Sequence, residues 1–92
     1  MEFGWDPAKR ERNLVKHGID FAGTGPCFAD TDRLLWEDAR HDYGETRFNM
    51  LARLGSRVLH VTFTMRGQVT WVISARKANP REQRKYAQAR NH

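Results

Sequence analysis

The chain has a single cysteine in 92 residues, Cys27, so no disulfide can form within it and a reducing compartment is its expected setting. Its apolar runs are short, whereas a membrane helix needs roughly 20 apolar residues in a row. No basic segment leading into an apolar stretch stands at its start, and the reading is therefore a cytoplasmic protein with no membrane association. Repeats and low-complexity linkers are absent, so residues 1–92 read as one domain. The four histidines and the cysteine lack any ligand spacing, and no Gly-rich phosphate loop, G-x-S-x-G or H-E-x-x-H occurs. Neither a metal nor a cofactor is expected. Acid is scarce in one place: Arg76 to His92 holds six Lys/Arg and one acid, Glu82, while residues 1–75 balance ten basic against ten acidic side chains. All of the net charge of +5 thus belongs to the tail. Charge of one sign on one terminal element is the footprint of a surface that meets phosphates or an acidic protein.

Turn and cap residues divide the rest. Met1–Trp5 alternates enough for a short first strand. Asp6 before Pro7 is a helix start and Gly18 a helix stop, framing a helix over about Pro7–His17. Over Asp20–Ala29 the apolar stripe of Phe21, Ala22 and Phe28 is interrupted by Gly23, Gly25 and Pro26, which predicts a short or irregular helix. Leu34-Leu35-Trp36 suggests a strand, and Glu37–Gly44 a polar loop in which turn chemistry accounts for His41 and Asp42. Three alternating runs follow, Thr46–Leu54, Arg57–Thr64 and Gln68–Arg76, separated by the hairpin-sized gaps Gly55-Ser56 and Arg66-Gly67. Asn79 and Pro80 start a last helix reaching about Arg90. The fold class is α+β: a small antiparallel meander flanked by N-terminal helices and a C-terminal basic helix.

Alternation assigns faces. Phe48, Met50, Ala52 and Leu54, then Leu59, Val61 and Phe63, then Val69, Trp71, Ile73 and Ala75 are expected to face the helices. Arg53, Thr62, Ser74 and Arg76 then project from the other face, with Arg66 at a hairpin end. Arginine is shaped for bidentate phosphate contact. Metal-free RNA cleavage needs a base for the ribose 2′-hydroxyl, cations for the pentavalent phosphate and a donor for the leaving oxygen. Arg53, Arg66 and Arg76 suit the second task, provided that they gather around one pocket. His17, Lys9, Glu45 or Tyr86 suit the others. Any one strand arginine is equally explained as solvated surface.

Lys9, Asn13 and His17 line one stripe of the first helix. The mid-helix Asn13 is the least expected of them, which leans towards function. Cations around Tyr86 would lower its phenol pKa. Lys77, Arg81, Arg84 and Lys85 form a basic track fit for an RNA backbone. His60 reads chiefly as a strand histidine, and His92 as a terminal residue. Trp5, Trp36 and Trp71 are expected to fill the core, with base stacking by Trp36 or Tyr43 an alternative for which no sequence feature speaks.

Four stretches carry a resemblance across almost the whole chain: F-G-W-D-P-A-K-R-E-R-N-L-V-K-H-G-I-D-F at 3–21, H-D-Y-G-E-T-R-F at 41–48, V-T-F-T-M-R-G at 61–67 and V-I-S-A-R-K-A-N-P-R-E-Q-R-K-Y at 72–86. These resemble the BrnT-type toxins of bacterial type II toxin–antitoxin modules. The resemblance implies a RelE-like fold, RNA cleavage that arrests translation and neutralisation by a ribbon-helix-helix antitoxin, the complex also binding its operator DNA. It carries the motif onto Lys9, Asn13, His17, Glu45, Arg47, Arg53, Arg66, Ser74, Arg76 and Tyr86. Met65 stands where the family has an acid, and Ala52-Arg53 where it has Gly-Arg. The competing readings are a non-catalytic RNA- or ribosome-binding module, for which the basic helix suffices, and a docking strip for an acidic partner.

Overall fold

Strand β1 (Glu2–Gly4) leads into helix α1 (Pro7–His17), where the Asp6 carboxylate accepts from the Ala8 N–H at 2.9 Å and Gly18, at φ 71°, closes the helix. The computed structural model describes residues 1–40 and 42–90. The readings of His41 and His92 lie outside the described residues. The segment broken by Gly23, Gly25 and Pro26 forms two short 3₁₀ turns, Phe21–Gly23 and Gly25–Ala29. After them come β2 (Leu34–Asp38), β3 (Arg47–Leu54), β4 (Arg57–Arg66), β5 (Val69–Lys77) and α2 (Pro80–Arg90). Gly55 and Gly67, with φ of 62° and 61°, hold the first of two turn positions in their hairpins, where a side chain would be strained.

The sheet has five strands in the order β1-β5-β4-β3-β2. It is mixed, which corrects the antiparallel expectation. β2 to β5 form the antiparallel meander, but β1 runs parallel to β5, pairing Glu2 with Val69 and Gly4 with Trp71. The long path through α1 and the 3₁₀ turns allows β1 to lie beside a strand from the far end of the chain.

One sheet face carries the core. Met50, Ala52, Leu59, Val61, Val72 and Ala75 are buried there beneath Ile19, Phe21 and Cys27, with Phe3, Trp5, Phe28 and Phe48 packed around them. A bulge in β5 corrects the expected inward row. Phe63 pairs with Val72 but Thr62 with Ser74, so Ile73 is an extra residue that shifts the alternation by one. Before the bulge Thr70 and Val72 point inward, while Val69 and Trp71 turn to the other face. Beyond it, Ser74 and Arg76 lie on that second face as the alternation predicts.

Asn13 is architectural. β1 ends at the Gly4–Trp71 pair, leaving the next stretch of β5 without a neighbouring strand. Buried in α1, Asn13 takes that place: its amide donates to the Ala75 and Ile19 carbonyls, both at 2.8 Å, and its carbonyl accepts from the Ala75 N–H at 3.1 Å. A helix former would leave those backbone groups orphaned, which explains a poor helix residue at mid-helix.

Candidate functional site

The second face is polar because its rows are. Reading across β2, β3, β4 and β5, one row is Trp36, Asn49, Thr62 and Ser74. A second is Leu34, Leu51, His60 and Arg76, and a third is Asp38, Arg47, Thr64 and Trp71. Helix α2 covers one end of this face. Tyr86 and Ala78 pack there with Leu51, Leu34, Trp36 and Val58. Beside α2 the face opens into a cleft whose lining includes Trp36, Asp38, Asn49, His60, Arg76 and Glu82.

The cleft brings together an imidazole, His60, and a guanidinium, Arg76. His60 sits directly opposite Arg76, its ring edge-on to Trp36 at 5.9 Å, and its buried Nδ1 has no hydrogen-bond partner among the described residues. Burial and the positive Arg76 hold its pKa below the ordinary histidine value, so the imidazole is neutral at physiological pH. A neutral imidazole lining a cleft has the chemistry of a proton acceptor. Arg76 makes a bidentate pair with Glu82 at 2.8 and 3.0 Å. That pair, with the N–H of Asn79, draws the Glu82 carboxyl down to about 2, so it stays ionised. Glu82 also closes a reciprocal cap with Asn79: each side chain accepts the other's backbone N–H, at 2.8 and 2.9 Å. The first turn of α2 therefore fixes the anion that holds Arg76.

The surrounding polar groups pair with one another. Thr62 donates to the Asn49 carbonyl at 2.8 Å. Asp38, nearly buried, is gripped by Arg40 at 3.0 Å and held well below the usual carboxylate range, chiefly by that contact. Arg47 lies over the Tyr43 ring at 3.8 Å, and its Nε, 3.8 Å from Glu45, has no hydrogen-bond partner among the described residues.

The remaining sequence-predicted residues fall in separate places. Arg53 and Arg66 share the second face but occupy opposite ends of it. Arg53 faces Val58, and Arg66 stands eight residues further along β4, roughly 26 Å away at about 3.3 Å per residue. The expected pocket of three arginines is thus corrected: Arg76 alone stands at the cleft centre. Arg66 lies 3.4 Å from Glu45 and 4.4 Å from the Trp71 ring. Lys9 and His17 line a shallow groove at the β5 edge with Arg12, Lys16, Ile73 and Ser74. Ser74, which lines that groove, stands two residues from Arg76 on the same strand and face. Lys77, Arg81, Arg84 and Lys85 are exposed, and Lys85 lies 4.7 Å over Trp36.

Tyr86 reverses its expected electrostatics. It is buried under α2 and donates to Asp30 Oδ2 at 2.6 Å. Burial and that carboxylate push the phenol up to about 12, not down. It stays protonated and anchors α2 to the loop before β2. Trp71 corrects the expectation of a core tryptophan, since the bulge turns it onto the second face.

Sequence reasoning undervalued His60. Counted from the Gly67 turn without a bulge, the register sets His60 opposite Ala75, and only the extra residue brings Arg76 beside it. The signal present was a histidine among threonines on the polar side of β4. A search of curated proteins returned no match. The family model described as the ribonuclease toxin, BrnT, of type II toxin-antitoxin systems matches residues 5–82.

Proposed function

We propose that this chain, which belongs to the BrnT ribonuclease toxins of type II toxin–antitoxin systems, is a metal-independent endoribonuclease that works from the open sheet face. The observation that carries this reading is the neutral His60 imidazole lining the cleft directly across β4 and β5 from Arg76. His60 accepts the proton of a ribose 2′-hydroxyl, and the oxygen attacks the adjacent phosphorus. Arg76 exchanges Glu82 for the phosphate and stabilises the charge that builds on its oxygens. The 5′-oxygen leaves with a proton, and the product ends in a 2′,3′-cyclic phosphate. Lys9 and His17, at the edge groove that Ser74 also lines, supply that proton or hold the neighbouring phosphate. The exposed Lys77, Arg81, Arg84 and Lys85 draw the RNA backbone towards the cleft. Arg53 and Arg66 serve at the two ends of the face, and Tyr86 positions α2.

A four-strand meander with helices before and after it supports a RelE-like fold. The family supports a protein antitoxin, which we take to be a ribbon-helix-helix protein whose complex with this chain binds operator DNA. Cleavage of messenger RNA in the cytoplasm would then arrest translation. The test incubates purified protein with RNA in EDTA. Cleavage that leaves cyclic phosphate ends and is lost in His60→Ala is expected, whereas intact RNA overturns the proposal. Induction in cells gives the second readout: growth arrest relieved by the product of the adjacent reading frame.

A further inference from the structure

Three aromatic rings on the open face each carry a cation over them: Trp36 under Lys85 at 4.7 Å, Trp71 under Arg66 at 4.4 Å and Tyr43 under Arg47 at 3.8 Å. We propose that Trp36 and Trp71 are stacking platforms for unpaired bases, so that the open face binds single-stranded RNA and not duplex. The inference rests on the ribonuclease reading and adds to it the form of RNA that is taken and the residues that grip its bases.

Trp71 is built as a platform. The bulge at Ile73 turns it out of the core, and its partner in β1 is a glycine. A Cβ on Gly4 would lie 2.8 and 2.9 Å from Trp71 Cε3 and Cζ3, so the ring rests directly on bare backbone. Its inner face is occupied by Gly4, and Arg66, half exposed, covers the other. Trp36 stands across the sheet in β2, edge-on to His60, with Lys85 as its cover. Both rings lie to the same side of the His60–Arg76 row, Trp36 in the next row and Trp71 in the one beyond. Three strand spacings of about 4.8 Å set them roughly 14 Å apart across the sheet. That span takes about four nucleotides at a stacked rise of 3.4 Å, and fewer when the strand is splayed.

Magnitudes favour the exchange of cation for base. A surface cation over a ring contributes about 0.5–1 kcal/mol. A base stacked on an aromatic side chain contributes about 1–3 kcal/mol. The displaced Lys85 or Arg66 remains beside the strand, where a phosphate replaces the ring as its partner. A duplex offers no such exchange, because its bases are stacked on one another and their faces are closed to a flat ring.

The probe is a single-stranded RNA oligonucleotide methylated at every 2′-oxygen, which removes the nucleophile and allows binding to be measured without cleavage. Fluorescence anisotropy compares it with the same strand annealed to its complement. The single strand is expected to bind at least about tenfold more tightly, and Trp36→Ala and Trp71→Ala each to weaken it about tenfold. The dependence on salt should stay unchanged, because the phosphate contacts remain. Trp71→Phe keeps a ring and should retain most of the affinity. Gly4→Ala leaves both tryptophans in place but lifts the platform, and should weaken the single strand alone. Equal affinity for duplex, or wild-type affinity in folded Trp36→Ala and Trp71→Ala proteins, overturns the proposal. Tryptophan-dependent binding by a protein that leaves unmethylated RNA intact supports the platforms while refuting the nuclease. Cleaved RNA with binding unaffected by either tryptophan refutes the platforms alone.

Discussion

Replacing Asn13 with alanine separates architecture from chemistry, because the residue belongs to the family-like motif yet makes only structural contacts. It gives up three hydrogen bonds, to Ile19 O, Ala75 O and the Ala75 N–H. At about 1 kcal/mol each they sum to about 3 kcal/mol. The Ala75 groups lie in a fully buried residue and lose their only substitute for a strand partner, which raises the cost further. A domain of this size loses about 4–8 °C of melting temperature per kcal/mol, so Asn13→Ala should melt about 15 °C lower. Asn13→Asp presents a carboxylate to two carbonyl oxygens. Its folded pKa must rise, so the variant should lose stability as pH increases above the ordinary aspartate value near 3.9. Thermal unfolding followed by circular dichroism gives both numbers. Cleavage assayed well below the lowered melting point should be retained per folded molecule. A melting temperature within about 4 °C of wild type, or lost cleavage in a protein that melts normally, would refute the structural assignment.

Other perturbations address the site. Glu82→Gln keeps the cap with Asn79 but removes the charge opposite Arg76, and should tighten RNA binding in filter or anisotropy assays. Acid should destabilise the fold: Asp20 and Glu82 are both held at about 2, below their unfolded values of 3.8 and 4.5. Their contribution is present above those values and fades as pH falls towards 2, so the midpoint in denaturant should decline across that window. Tyr86→Phe removes the bond to Asp30 and should cost about 1 kcal/mol while leaving the pH profile of cleavage unchanged. A profile that changed would restore Tyr86 to the chemistry. The rate should rise with pH through a group titrating below 6.5, that group being His60, and lose this limb in His60→Ala.

Punctuation residues made most of the fold legible. Asp6-Pro7, Gly18, Gly55, Gly67 and Asn79-Pro80 bound the helices and hairpins close to where they stand, since caps and positive-φ turns are local chemistry. The core rows of β3 and β4 followed from alternation for the same reason. Two long-range features were invisible. The parallel pairing of β1 with β5 depends on how residues 1–17 fold back across the sheet, and no local pattern encodes it. The bulge at Ile73 has no glycine or proline to announce it, and Trp71, Val72 and Ile73 are apolar one after another, so alternation cannot locate the slip. That one extra residue sends Trp71 outward and aligns Arg76 with His60, so the site itself was misread although the strand was found. Tyr86 failed differently. Arg90 does lie 5.9 Å over its ring, but burial and the bond to Asp30, 56 residues earlier, outweigh that cation.

The account stands on proton transfer at His60 beside a phosphate held by Arg76. Its most direct test is a single-turnover cleavage assay in EDTA, comparing wild type, His60→Ala and Arg76→Ala on an RNA and on the same RNA with 2′-deoxy sugars. The account predicts cyclic phosphate products from wild type, a rate lower by about 100-fold or more in each variant, and no cleavage of the deoxy strand. Wild-type rates in His60→Ala, or cleavage of the deoxy strand, would contradict it.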